Sequence, residues 1–331
     1  VDGAQVGERL ANVPILVRLE ATQALDLGVR GDGGDVRFVT ADHTTLLSHE
    51  TELYDSAGTS FFWVNLPELQ AGASLDFYAY AGNPAATSTS NGPAAFPQNH
   101  VGVWHLNVNA GVNIPVPDSS PNAANGVTMN MTAANRGNGL IAGGLPFDGV
   151  NDIVRITGSA TDAELNLRSE MTLSAWINPQ GGGTVVARRS GGGNQYQLQL
   201  EPDGVGHVLS FVRNDTANTP CLWAVTTRIT YGEWHHVAVT VDNNGIPVAF
   251  MQDGVMAPHT LWYGCGPGWR QQNIDVSLGG RWANPPATAW VLAGLLDEVR
   301  VENVARSTAW LTLQYVSMVG TLLTSGMVER R

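Results

Sequence analysis

Gly294-Leu-Leu-Asp-Glu-Val-Arg-Val-Glu-Asn-Val-Ala-Arg306 is the stretch on which the fold turns. Leu296, Val299 and Val301 are β-prone and apolar, so the run reads as a buried closing strand, followed directly by a capped helical turn. Asp297 and Glu298 are adjacent, and a regular strand sends their side chains to opposite faces. One of the two must therefore be compensated inside the fold. What compensates it separates an enzyme from a calcium-bound binding module and from plain scaffold.

Working outward, the same β grammar fills the chain. Pro14–Leu19, Val36–Thr40, Phe61–Leu66 and Ser74–Tyr80 are short β-branched and aromatic runs, separated by turn sequences such as Gly31-Asp-Gly-Gly34 and Gly82-Asn-Pro84. No helical period of comparable length interrupts them, so residues 1–100 read as a small antiparallel β-sandwich. The Pro/Ala/Ser/Thr/Asn stretch from Ala85 to Gln98 is the linker candidate. Beyond it, Met171-Thr-Leu-Ser-Ala-Trp-Ile177 alternates apolar and polar positions as a half-buried strand does. Further strands are expected at Val103–Leu106, Leu145–Ile156, Thr184–Arg188, Gln195–Glu201, His207–Arg213, Trp234–Val241 and Pro247–Met251. Asp203-Gly204, Asp242-Asn-Asn-Gly245 and Asp253-Gly254 supply the turns. Many short strands at regular spacing mean a larger sandwich or jelly roll over 101–331. Ser307 can cap a short C-terminal helix from Thr308 to about Val319, laying Trp310 and Leu313 on that sandwich. The fold class is all-β.

Composition restricts the partners. The chain has 331 residues, 43% hydrophobic with 10 Trp, and a net charge of −12. Its length suggests about two domains. Every basic residue is Arg and none is Lys. An acidic surface argues against nucleic acid and anionic membranes and is compatible with Ca²⁺ and neutral glycans. No run approaches the ~20 apolar residues of a membrane span, so direct membrane insertion is not expected. The N-terminal Val-Asp-Gly-Ala lacks signal-peptide character, so a processed ectodomain or an excised soluble segment is expected. Cys221 and Cys265 sit in Gly/Pro-flanked, aromatic-rich segments, and a disulfide is favoured over two unrelated thiols.

Two resemblances follow from these motifs. "DVRFVTADHTTLLSHETELYD" and "FFWVNLPELQAGASLDFYAYAGNP" resemble a bacterial extracellular domain of unknown function, across nearly all of residues 12–84. "FDGVNDIVRI", "MTLSAWINP", "EWHHVAVTVD", "MQDGV" and "LAGLLDEVRVENVARST", in that order, resemble the concanavalin A-like, laminin-G-like jelly roll over roughly 101–317. The insert holding Cys221, Trp262, Tyr263, Cys265 and Trp269 departs from the minimal pattern. Some relatives of the first domain carry both modules ahead of an ExbB/TolQ-like proton-channel segment, which is not among these residues. A secreted or cell-surface location is implied.

Three chemistries can be weighed. Several concanavalin-like hydrolases hold their acids as Glu-x-Asp-x-Glu on one strand, with carboxyls ~5 Å apart in retaining enzymes. Here Glu298, Arg300 and Glu302 occupy that pattern with Arg at the centre. Arg300 would hold both carboxylates ionised, which reads as a surface salt-bridge ladder and not as an active site. A polysaccharide lyase needs Tyr or His beside Arg and Gln or Asn, and no such local cluster is legible. For a metal, the resemblance places the Asp148–Asp152 segment near Asp297. Asp148, Asp152 and Asp297 would suit a weak structural Ca²⁺ site; the alternative is a turn at Asp148 and Asp152, with Asp297 bonded to backbone amides. His235-His236 cannot chelate one ion from opposite strand faces, so a packed His236 and an exposed His235 are expected. For a glycan, Trp262, Tyr263, Trp269 and Trp282 lie in a loop-rich region and are the candidate ligand-binding residues, whereas Trp290 is expected in the core.

The reading is thus a non-enzymatic extracellular binding module that recognises carbohydrate or a surface protein, as in adhesion. The first alternative is a structural ectodomain or assembly subunit of a homo-oligomer or envelope complex, and the second is a glycan-active enzyme.

Overall fold

The structure, a computed structural model, describes residues 1–132, 137–159, 162–190, 192–271, 273–283 and 287–326. The chain divides into two compact units, Val1–Gln98 with Ala309–Arg331, and Asn99–Thr308.

The first unit holds strands β1 (Leu10–Glu20), β2 (Arg37–Thr40), β3 (Leu46–Leu47), β4 (His49–Leu53), β5 (Thr59–Leu69) and β6 (Phe77–Tyr80). They form two three-stranded antiparallel sheets, ordered β1-β5-β4 and β3-β2-β6. Ile15, Phe38, Phe62, Trp63 and Val64 are buried in this unit.

Three features of this unit differ from expectation. Helix α1 (Ala21–Leu27) follows β1 directly. A reciprocal Glu20–Gln23 capping box starts it, and Gly28, at φ +69°, stops it in the left-handed conformation that glycine tolerates. The 85–98 stretch is not wholly a linker. It contains helix α2 (Gly92–Ala95), capped by Asn91, and buries Phe96 5.5 Å from the Trp63 ring. Helix α3 (Thr308–Met318) belongs from Ala309 onward to this unit, not to the jelly roll. Leu16 N–H donates to Ser317 Oγ at 2.7 Å, and Arg18 donates to the Ser317 carbonyl. A helix so tied to β1 serves as its neighbour, a long-range contact that periodicity cannot reveal.

The second unit begins with β7 (His100–Trp104), β8 (Pro115–Val116), β9 (Gly126–Met129), β10 (Leu145–Asp148), β11 (Ile153–Ile156) and β12 (Met171–Pro179). It continues with β13 (Gly183–Ser190), β14 (Gly193–Pro202), β15 (His207–Asn214), β16 (Pro220–Arg228), β17 (His235–Val241) and β18 (Pro247–Gln252). It closes with β19 (Val255–Ala257), β20 (His259–Tyr263), β21 (Ser277–Leu278), β22 (Arg281–Ala283), β23 (Ala287–Ala289) and β24 (Ala293–Glu302). One sheet runs β10-β24-β12-β17-β18-β19, with β7 also on β24. The other, of nine strands, runs β20-β16-β15-β14-β13-β21-β11-β9-β8, and β22-β23 is a separate hairpin. Leu173, Ala175, Val239, Leu296, Val299 and Val301 of the first sheet share a core with Tyr196, Leu198, Leu200 and Phe211 of the second. This is a two-layer antiparallel jelly roll.

Strand β24 changes neighbour at its acidic pair. Along one edge Leu296 pairs with Leu145 of β10, and from Val299 onward the partner is Trp104 of β7. Asp297 and Glu298 fall in the gap. On the other edge the register against β12 slips between Ser174–Arg300 and Trp176–Asp297, a β-bulge with Glu298 at φ +52°. A bulge at the junction resets the alternation, so that Val299 still reaches the core.

Candidate functional site

The bulge decides the chemistry of the acidic pair. Glu298 is buried, and its carboxylate meets His105 Nδ1 and, at 2.8 Å, Arg300 Nη2. Burial opposes its ionisation, but the charges and hydrogen bonds of His105 and Arg300 outweigh it and hold the carboxyl below its ordinary range. Glu302 is likewise buried and takes Arg306 Nε at 2.7 Å, with His100 Nε2 at 3.3 Å. Glu298, Arg300 and Glu302 therefore form a buried polar row, where a surface ladder was expected. The covering comes partly from the chain just after β24: Arg306 N–H donates to Thr172 Oγ1, and Thr240 Oγ1 donates to the Arg306 carbonyl. His235 is also buried, with Nδ1 2.8 Å from Asp253 Oδ2, so its expected exposure is corrected. His236 packs against Trp176 as expected.

The three aspartates do not converge. Asp148 pairs with Ala293, four positions before Asp297 on β24, a separation along the strand of about 13 Å. Asp297 Oδ2 accepts the Ile141 N–H at 2.9 Å. Asp148 Oδ1 accepts the N–H groups of Val150, Asn151 and Asp152, a side-chain-closed turn. One shared Asp148–Asp152–Asp297 calcium site is thus corrected by the register. Asp152 keeps its own interest: Oδ1 is buried without a hydrogen-bond partner, and burial, then the Asp148 charge, push the carboxyl up.

A different cluster assembles on the nine-stranded sheet. In β14, Gln195-Tyr-Gln-Leu-Gln-Leu-Glu201 alternates strictly, and Tyr196, Leu198 and Leu200 enter the core. Gln195, Gln197, Gln199 and Glu201 therefore line the face turned away from it. Arg281 of β22 donates to Gln197 Oε1 at 3.1 Å and to Gln199 Oε1 at 2.8 Å. Gln197 also donates to Thr184 Oγ1, and Gln199 to Glu201. The Arg281 guanidinium stacks 4.3 Å from the Trp290 ring centroid, and the Trp290 carbonyl is anchored by Thr184 N–H. Tyr263, on edge strand β20, interacts electrostatically with both Glu201 and Arg281. Burial pushes the Glu201 carboxyl up against the pull of Arg281, and burial, then Glu201, pushes the Tyr263 hydroxyl up. Tyr263 and Trp290 are exposed, and β20 and β13 stand four strand spacings apart, about 19 Å.

Residues 148–312 match the family model of the concanavalin A-like lectin/glucanases superfamily, and residues 32–98 match that of a domain of unknown function, DUF2341. The chain is a DUF2341 domain followed by a concanavalin A-like domain. No curated protein matches it in sequence. Among solved structures it is similar to domain 4 of AbnA, an extracellular GH43 arabinanase from Geobacillus stearothermophilus, solved with arabinotriose. That likeness has 17% identity and a TM-score of 0.43, covering 62% of this chain and all of that one (100%). A heptameric SAP-like pentraxin from Limulus polyphemus has 16% identity and a TM-score of 0.38, covering 50% and 78%. The receptor-binding domain of botulinum neurotoxin type G has 9% identity and a TM-score of 0.42, covering 66% and 51%. All are too remote to carry a ligand across.

Within the concanavalin A-like domain the expected aromatics separate. Trp262 and Tyr263 are exposed, at 41% and 47%. Trp269 is partly buried against the core, its ring 5.4 Å from the Arg213 guanidinium. Trp282 is buried with Ile153 and Ile274 under the Arg155 guanidinium, so its proposed ligand contact is corrected. Trp290, assigned to the core from sequence, is 40% exposed. Its neighbour Arg281 and the β14 glutamines were missed altogether. The strict alternation of amides in β14 was the available signal, because four polar residues on one strand face need hydrogen-bond partners. The Cys221–Cys265 disulfide is present, with a Cα–Cα distance of 5.1 Å.

Proposed function

We propose that the chain is a non-enzymatic, extracytoplasmic carbohydrate-binding protein whose ligand lies on the outer face of the nine-stranded sheet. The observation that carries this reading is the Gln197–Gln199–Arg281 hydrogen-bonded row between exposed Tyr263 and Trp290. Fixed amides and a guanidinium suit sugar hydroxyls, and aromatic faces suit the apolar face of a sugar ring. Two further observations agree with an extracytoplasmic location: the disulfide, and no helix among the described residues long and apolar enough to cross a membrane. Against hydrolysis, Glu298 and Glu302 are both held by arginine and histidine, which disfavours a protonated acid.

Glycan-array binding of the full chain tests this. Tyr263→Ala and Trp290→Ala should each lower affinity at an unchanged melting temperature. No binding to any glycan would remove the reading. Release of new reducing ends or unsaturated uronates would turn it into an enzyme, the latter through the Tyr263, Arg281 and Gln197 grouping.

A second reading has its own observation. Strand β20 is a sheet edge carrying exposed Leu261, Trp262 and Tyr263, a surface on which another protein's strand could add. Recognition of a surface protein, or assembly into a homo-oligomer or envelope complex, would use that edge. Sedimentation showing concentration-dependent association, abolished by Leu261→Lys, would favour it.

A further inference from the structure

The arginines of the concanavalin A-like domain find their partners in different ways. Arg300 is paired with Glu298, Arg306 with Glu302 and the more exposed Arg155 with Asp275. The buried Arg188 and Arg213 instead donate to backbone carbonyls, Arg188 to Ser159 and Arg213 to Gly245, Gly268 and Asn244. Arg281 has no carboxylate within ion-pair distance among the described residues; its bonds go to the neutral amides of Gln197 and Gln199. Glu201 lies close enough to be felt electrostatically, yet its carboxylate accepts from Gln199. Arg189, on β13, is half-buried, and its guanidinium has neither a hydrogen bond nor an ion pair among the described residues. Its Nε is fully buried. Burial, then the neighbouring charge of Arg189, pushes Arg281 down to about 9.

Arg189 stands on β13 two positions beyond Ala187, the register partner of the Gln197 that Arg281 holds. Two neighbouring guanidinium groups without an ion-paired acid are costly to bury, even with Glu201 beyond pairing distance. The cost is conspicuous in a chain of net charge −12, where carboxylates are the commoner ions. A second group in the same place lacks a partner: Ser210 Oγ, on β15 opposite Gln199, is wholly buried and unbonded. Unfilled donors and two guanidinium groups without an ion pair together describe a site shaped for an anion that also carries hydroxyls.

Resting on the carbohydrate reading above, we propose that this face binds an acidic sugar, a uronate or a sulfate ester, with Arg189 and Arg281 taking its anionic group. The planar guanidinium fork matches a carboxylate or sulfate with two parallel hydrogen bonds. Trp290 and Tyr263 at the rim receive the sugar rings. A neutral glycan would leave neither arginine ion-paired.

Titration calorimetry on the full chain separates the possibilities. The probes are trigalacturonate against its fully methyl-esterified form, and a sulfated galactan tetrasaccharide against its desulfated form. At least one charged probe should bind about tenfold or more tighter than its neutral counterpart, and the preference should shrink in high salt. Which pair shows it tells carboxylate from sulfate. Arg189→Gln removes no hydrogen bond, so it should abolish the preference at an unchanged melting temperature, and Arg281→Lys should weaken it while keeping the charge. Equal binding of charged and neutral forms would overturn the inference and leave the carbohydrate reading standing. Binding of neither form of either pair, with an array also blank, would overturn both. An Arg189→Gln protein that kept the full preference would move the anion elsewhere and sink the assignment.

Discussion

Arg300 reaches the carboxylate of Glu298, two positions away on the same strand, inside a site closed to solvent. Because the bulge at Glu298 directs both side chains off the core face, the pair behaves as a buried ion pair with His105 as a third member. Removing one partner of such a group strands the others without compensation. Glu298→Ala is expected to cost about 3–5 kcal/mol in urea unfolding. The double substitution Glu298→Gln, Arg300→Met should cost less than that single change.

His236 is wholly buried, and burial, followed by the Arg300 charge, depresses it from 6.5 to about 3. The unfolded chain therefore takes up this proton first. Its contribution to stability is complete above pH 6.5 and is lost as pH falls from 6.5 toward 3. Wild type and His236→Gln compared by denaturant titration should show a shallower loss for the variant across that window. Parallel curves would mean that another group dominates.

Trp282 and Tyr263 should respond oppositely. Trp282 fills a satellite cluster with Ile153 and Ile274, and Trp282→Ala should cost about 3–5 kcal/mol. Tyr263→Ala, at an exposed edge, should leave the melt within experimental error and lower ligand affinity. Thermal melts run beside binding assays distinguish the two.

The Cys221–Cys265 bridge joins β16 to the segment after β20 across 44 positions. In the chain-entropy model a loop of that size contributes about 4 kcal/mol. Cys221→Ser with Cys265→Ser should lower stability by that order, and reductant should do the same to the wild type only.

Any calcium response should be traceable to the turn, not to the closing strand. Asp152 has a second carboxylate, Asp148, close enough to push its own carboxyl up, as a divalent cation requires, whereas Asp297 lies four strand positions from that pair and holds the Ile141 amide. If Ca²⁺ raises the melting temperature, Asp152→Asn should abolish the rise and Asp297→Asn should not. A melt unchanged by both Ca²⁺ and EDTA would remove calcium from the picture.

Much of the architecture was legible because strands write themselves locally. Met171, Leu173, Ala175 and Ile177 face the core as their alternation predicts, although Thr172, Ser174 and Trp176 on the other face are buried too, where one exposed face was expected. The hairpin turns fall at Asp203-Gly204 and Asp253-Gly254. The disulfide was legible from flanking composition. The interior of β24 was not. A left-handed residue at Glu298 is unexpected for a side chain of that size, and without the bulge the alternation puts the acids on the wrong faces. Burial of Glu302 depends on Arg306 and His100, the latter some two hundred positions away. Trp282 and Trp290 exchanged their expected places because hairpin β22-β23 folds back on the sheet, and composition gives no sign of which of its tryptophans turns inward.

That β24 serves β7, β10 and β12 at once has a consequence for the order in which the molecule can be made. The strand that joins β7 and β10 to the rest of the first jelly-roll sheet is the last of that sheet to leave the ribosome. Until Ala293–Glu302 emerges, β7 and β10 have no ladder partner in that sheet among the described residues and expose unpaired backbone. Contacts spanning so much sequence are slow to close, and the waiting edges are open to association. Nascent chains halted before Ala293 should therefore be protease-sensitive throughout this unit, with protection arriving in one late step.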